Sequence, residues 1–268
     1  MISLANIWYG FLINLQFFTI IPIRKEIQMT KRNLSSMIIT LPMLGLFIGI
    51  IYAFTLASLT QFTNLSNLAL TFILMAIMMI LTGGIHVDGW IDTSDAFFSY
   101  QDKPNRLKIM EDPRVGAFGV LGLLFLLVFK FLFIYEILSH QEPYLFIYIV
   151  FIPFLSRMLT GIGLILINPA KKSGLGYLFK AENPQILNFY LIYLIPIVII
   201  LGIYNLLYLT VFIILLILIG ILHLLFKRFF MRQFGGLTGD LSGASIEGTE
   251  LILWLLMWLL HYYVTGGQ

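Results

Sequence analysis

The sequence predicts an all-α, polytopic integral membrane protein with about seven or eight transmembrane helices and cytoplasmic active-site loops. Three observations carry this prediction. First, of 268 residues 60% are apolar, 15% aromatic and only 11% charged, and the mean hydropathy is +0.97. A soluble domain holds roughly 45–50% apolar and ~25% charged residues. This chain cannot cover a water-facing surface with polar groups, so lipid is its solvent. Second, apolar runs long enough to cross a bilayer recur from end to end. Third, the basic residues fall in alternate polar segments.

The first stretch, Leu4–Ile23, is interrupted by Asn6, Asn14 and Gln16, and it suits a span or an interfacial helix equally. No basic residue precedes its apolar part, which argues against a cleaved signal peptide. Further spans are predicted near Met37–Leu59, Leu68–Leu81, Val115–Leu138, Tyr144–Ile167, Ile186–Ile203, Leu206–Phe226 and Glu250–Val264. Each approaches the ~20 residues that cross ~30 Å of hydrocarbon. Ile186–Phe226 is too long for one crossing, and Gly202-Ile203-Tyr204-Asn205 supplies the turn. Residues 1–268 read as a single catalytic domain.

Between the spans lie polar segments at Arg24–Ser36, Thr60–Asn67, Gly83–Arg114, His140–Pro143, Asn168–Gln185 and Lys227–Gly248. Fourteen of the 16 basic residues sit in the first, third, fifth and last of these. Thr60–Asn67 and His140–Pro143 have none. The positive-inside rule therefore places the four basic segments, which also hold nearly every acid, on the cytoplasmic side of the plasma membrane. The other two basic residues, Lys130 and Arg157, lie inside spans. Such a charge marks function unless it is paired or snorkels. For Lys130 pairing is preferred, with Glu136 as its neighbour; Arg157 lies nearer the cytoplasmic loops and counts as a substrate contact. A net charge of +3 gives no reason to expect a nucleic-acid partner. The absence of cysteine excludes disulfides, iron–sulfur clusters and thiolate zinc sites.

Two carboxylate clusters carry the chemistry. Asp88, Asp92 and Asp95 stand at i, i+4 and i+7, on one helical face. Three like charges there repel, and a hard cation reverses the sign: Mg²⁺ takes carboxylate oxygens and bridges them to substrate phosphates. Gly83, Gly84 and Gly89 permit close backbone approach. Asp240, Glu247 and Glu250 repeat the pattern in a glycine-rich segment, so the two clusters are expected to form one site. His86 is a neighbour of the first cluster. Arg106, Lys108, Arg114, Lys171, Lys172 and Arg232 suit phosphate contacts, and Thr238, beside the second cluster, joins the substrate-binding set. Gly116, Gly119 and Gly122 predict close helix packing. No GxxxxGK[ST] loop is present, which removes P-loop hydrolysis. The residues thus suit a phosphotransferase acting on a diphosphate. A transporter would place its acids mid-span and show inverted repeats. A structural subunit would leave both clusters without a purpose.

The run Gly83-Gly84-Ile85-His86-Val87-Asp88-Gly89-Trp90-Ile91-Asp92-Thr93-Ser94-Asp95 resembles the cobalamin synthase (adenosylcobinamide-GDP ribazoletransferase) family. So do Arg106–Gly119, Gly239-Asp240-Leu241-Ser242-Gly243-Ala244 with Glu247 and Glu250, and, more weakly, Pro42, Gly45, Gly49 and Ser173–Gly176. Val87 stands where the family suggests an acid, and Ala96 where it often has Gly. The resemblance implies Mg²⁺-dependent transfer of the adenosylcobinamide phosphate group from adenosylcobinamide-GDP to α-ribazole or its 5′-phosphate. GMP leaves, and adenosylcobalamin or its phosphate forms, in the last steps of cobalamin biosynthesis. On this reading Asp88, Asp92, Asp95, Asp240 and Glu247 hold metal, and His86, Asp88 and Asp92 are catalytic, one carboxylate or His86 taking the hydroxyl proton. Arg114 and its basic neighbours hold phosphate oxygens. Membrane lipid is a partner, and a homo-oligomer is compatible with the sequence. The alternative is a CDP-alcohol phosphatidyltransferase-like enzyme of phospholipid synthesis. However, Asp88-Gly89 is followed by Asp92-Thr93 rather than that family's Ala-Arg pair, and the Gly-x₃-Asp-x₃-Asp continuation is missing.

Overall fold

Ser3 and Asn6 close a capping box that starts α1 (Leu4–Phe18). The computed structural model describes residues 3–140, 145–180 and 184–264, and among these it is helical with no strand. Thr30 caps the next helix, accepting from the Asn33 N–H at 3.2 Å, and α2 (Lys31–Phe62) runs for 32 residues. At 1.5 Å per residue that is about 48 Å, enough to cross a bilayer and project beyond it. α1 lies parallel along the first half of α2. Asn14 Nδ2 donates to Met37 O and Thr40 Oγ1, both at 2.9 Å, and Gly10 leaves no room for a Cβ against the Ser36 backbone.

α3 (Asn67–Leu81) returns and breaks at Thr82-Gly83-Gly84, where both glycines take positive φ (62° and 73°). That conformation is strained for any residue with a Cβ. The chain then turns by 88° into α4 (Ile85–Phe98). The Ile20 N–H, just past α1, donates to Leu81 O at 2.9 Å beside this break.

After the short α5 (Lys103–Ile109) come α6 (Ala117–Ser139) and α7 (Leu145–Leu166). α7 packs against α2 through Gly45 and Gly49, whose added Cβ atoms would strike the backbone at Pro153 and Val150. Small residues four apart allow such an approach in lipid. Of the expected His140–Pro143 turn, 141–143 fall outside the described residues, as does Tyr144. A single turn, α8 (Leu175–Leu178), precedes a 3₁₀ segment that leads into α9 (Leu191–Tyr204). Asn205 separates α9 from α10 (Leu206–Gln233): its backbone N–H ends one and its side chain caps the other, accepting from the Leu207 N–H at 2.8 Å. The last helix, α11 (Gly239–Val264), starts well before the expected Glu250.

Six helical segments among the described residues are long and apolar enough to cross a membrane, and the number is seven when the bent pair α3 and α4 is counted as one broken span rather than a re-entrant loop. The larger count equals the lower of the two expected numbers. α1, with 15 residues, is shorter than the ~20 that a crossing needs.

Candidate active site

Glycine brings the two carboxylate clusters together. A Cβ added at Gly89 would lie 2.5 Å from Asp240 O, and one at Gly243 would lie 3.2 Å from His86 Cα. α4 and α11 therefore cross backbone to backbone, with Asp88 and Asp92 on one side and Asp240 on the other. Asp92 lies within range of the charges of Asp88, Asp240 and Asp95. Gly89→Ala should force the helices apart and cost about 1–3 kcal/mol, as overpacking does. Thermal unfolding in detergent, followed beside activity, checks this; an unchanged midpoint would mean that the crossing tolerates a methyl group.

The remaining acids of the two clusters are engaged elsewhere. Asp95 turns away from Asp88 and caps α6: its carboxylate accepts from Gly116 N at 2.6 Å and from Gly119 N at 2.8 Å. The expected close packing of Gly116, Gly119 and Gly122 is present, and α4 is the partner. Gly116 and Gly119 face Asp95, Gly122 faces Ser94, and the Trp90 indole donates to Gly122 O at 2.9 Å. Glu247 and Glu250 point into the helix bundle. Lys130 donates to Glu247 Oε2 at 2.9 Å and to Glu250 Oε2 at 2.8 Å, and Arg157 pairs with the other oxygen of Glu250. Lys130 is thus paired, as expected, although its partners are these glutamates and not Glu136. Glu247 is held by the Lys130 ammonium and lines a separate small space, whereas Asp88 lines the larger pocket. Val87 lines the small space next to this cluster.

Among the described residues no three carboxylate or imidazole side chains converge as a ready-made metal cage. The donors left on the shared face are Asp88, Asp92 and Asp240. Such a set suits Mg²⁺, which usually takes one or two carboxylates and completes its shell with water and phosphate oxygens.

Beneath this face is a pocket that encloses about 740 Å³ of empty space with its open mouth included. Asp88 and Asp240 line it together with His86, Arg157 and apolar side chains from α2, α7, α8 and α11. His86 is only 3% exposed. Its ring stacks on Phe18 (centroids 5.9 Å apart, 26° between planes), and neither nitrogen has a hydrogen-bond partner. Phe18 and Phe179 belong to segments with no recognisable motif, and sequence reasoning misses both.

The expected phosphate-binding residues divide. Lys108, Lys172 and Arg232 are exposed. Arg114 is exposed and pairs with Asp112 at 2.6 Å; its guanidinium holds that carboxyl at about 2, well below the usual range. Lys171 pairs with Glu111, and its charge reaches Asp240. Arg106 is buried: it donates to Gln233 Oε1 at 2.5 Å and lies over the Phe97 and Phe234 rings. That geometry fastens α5 to the end of α10 and keeps the guanidinium from the cavity. Thr238 is also buried, and its hydroxyl accepts from Leu241 N at 3.1 Å at the start of α11. Its position is that of a helix cap. Arg157 lines the cavity but already serves Glu250 and Ser156.

With this geometry in view, the chain matches the family model described as cobalamin-5-phosphate synthase over residues 10–258. It is 40% identical to the adenosylcobinamide-GDP ribazoletransferase of Geobacillus sp. (strain WCH70), over 96% of this chain and 98% of that protein. It is 37% identical to the protein of the same name from Geobacillus thermodenitrificans, over 98% and 100% respectively. Clostridioides difficile has another of that name, 31% identical over 94% of this chain and 98% of its own. No solved structure matches. These likenesses set aside the phosphatidyltransferase alternative.

Proposed function

The chain belongs to the cobalamin-5-phosphate synthase family and is a membrane transferase of cobalamin biosynthesis, and on that premise we propose that it joins adenosylcobinamide-GDP to α-ribazole or its 5′-phosphate. The observation that carries this reading is the α4–α11 crossing, which sets Asp88 and Asp240 at one cavity, with Asp92 in range of both charges. A ribose hydroxyl of the acceptor attacks the phosphorus on the cobinamide side of the diphosphate. A new P–O bond forms, the bond to the GMP oxygen breaks, and GMP leaves with that electron pair. One of the three carboxylates accepts the hydroxyl proton. Lys108, Lys172 and Arg232 are exposed and offer cationic groups for the nucleotide phosphates. Mg²⁺ held by Asp88, Asp92 or Asp240 would supply charge neutralisation for the diphosphate.

Membranes carrying the protein, given Mg²⁺, adenosylcobinamide-GDP and α-ribazole, should form a corrinoid product and GMP. Separation of the corrinoids checks this, and an unchanged adenosylcobinamide-GDP pool would overturn the reading. The face that bears the site is proposed to be cytoplasmic. A cysteine label at Asn64 should then report the outer side, and labels at Asn105 or Lys172 the cytoplasm. Labelling of Asn105 from outside would reverse the orientation.

A further inference from the structure

We propose that the apolar cavity under Asp88 and Asp240 seats the flat aromatic base of the nucleoside acceptor, and that His86 makes the one polar contact to it. This deepens the function proposed above and rests on it. The walls are mainly apolar, with Phe18, Phe179, Leu164 and Ile246 among them, and the two hydroxyls that also line the cavity, Thr160 and Ser242, already donate to Ser156 O and Thr238 O. Such walls exclude a base rich in exocyclic polar groups, because guanine would leave donors and acceptors unsatisfied. A benzimidazole, the base of a ribazole, has a hydrocarbon body and one free in-plane ring nitrogen. That nitrogen needs a single N–H donor.

His86 answers the need. The imidazole is fixed by stacking on Phe18 and lines the cavity, and both its nitrogens are buried without a partner. Buried polar atoms are ordinarily satisfied, and a neutral imidazole always carries one N–H. The proposed mechanism makes no use of this group. Phosphate is a poor occupant of the cavity, because the Arg157 charge at its wall is already balanced. Lys130 and Arg157 face Glu247 and Glu250 in one buried cluster, two charges of each sign. With the base inside, the ribose reaches the mouth between Asp88 and Asp240, and the corrinoid and guanosine stay outside. His86 is thus a specificity residue for the acceptor.

The test is steady-state kinetics on the purified full chain, with α-ribazole and adenosylcobinamide-GDP varied in turn. His86→Phe removes the hydrogen bond, and Leu164→Phe narrows the cavity. Each should raise KM for α-ribazole about tenfold or more, the scale of one lost buried interaction, while KM for adenosylcobinamide-GDP stays within about twofold. A residue that only supported the fold would lower kcat or stability without this split. A third measurement does not depend on those variants folding. Leu175 lines the cavity and is 38% exposed, and the chain has no native cysteine. In Leu175→Cys, α-ribazole should slow maleimide labelling and GMP should not. Absence of any corrinoid product from the wild type would overturn the proposed function itself. Normal product with an unmoved α-ribazole KM in the variants, or protection at position 175 by GMP alone, would overturn only the base site.

Discussion

Asp88→Asn and Asp240→Asn should each lower turnover by about a thousandfold while the helical content stays unchanged. A carboxylate that positions charge against a transferring phosphate contributes several kcal/mol at the transition state, and ~4 kcal/mol corresponds to about three orders of magnitude. The two residues lie on helices in backbone contact at Gly89, so they are expected to act as a unit. The double variant should be little worse than the poorer single one. Asp95→Ala is the contrasting variant. Its carboxylate serves the Gly116 and Gly119 N–H groups, so its removal should cost about 0.5–2 kcal/mol of stability, as lost caps do, more than it costs chemistry. Multiplicative losses in the Asp88 and Asp240 pair would separate the clusters and dismantle the shared site.

Glu250→Leu should be the most destabilising single substitution in the bundle, at about 3–5 kcal/mol, the usual effect of removing one member of a buried ion pair. Glu250 is 4% exposed and receives both Lys130 and Arg157. Its loss strands Arg157, itself 2% exposed, with no carboxylate. The pair Lys130→Met with Glu247→Gln removes one charge of each sign and keeps Arg157 with Glu250, so it should melt much closer to the wild type. Melting midpoints in detergent decide the matter. A Glu250→Leu protein as stable as the wild type would show that water or lipid head groups already solvate the cluster.

The crossings were legible because an apolar run of ~20 residues suits little besides a bilayer span. The helical spacing of Asp88, Asp92 and Asp95 and the Asn205 turn were legible as well. The start of α11 was not. Gly239 and Gly243 read as loop on propensity, yet they are helical because α4 and α8 press against them. Periodicity placed Asp240, Glu247 and Glu250 on a common face, but Glu247 and Glu250 lie about two turns or more further along the helix, where Lys130 and Arg157 claim them. Nothing local marks such a pairing: Lys130 and Glu250 are 120 positions apart. Thr238 and Arg106 depart from expectation for a related reason. Hydroxyls and guanidiniums near a site are the usual substrate contacts, and only packing reveals that one caps α11 and the other is sandwiched between Phe97 and Phe234.

The crossing at Gly89 and Asp240 also constrains how the enzyme comes into being. Asp88 and Asp92 emerge from the ribosome early, on a helix of 14 residues that is too short to be inserted as an independent span. Its two neighbours arrive in sequence: first α6, which Asp95 caps, and at the very end α11, which brings Asp240. Until that last helix is threaded into the bilayer, α4 has no surface for its glycine face, and Asp88 and Asp92 lack their third carboxylate.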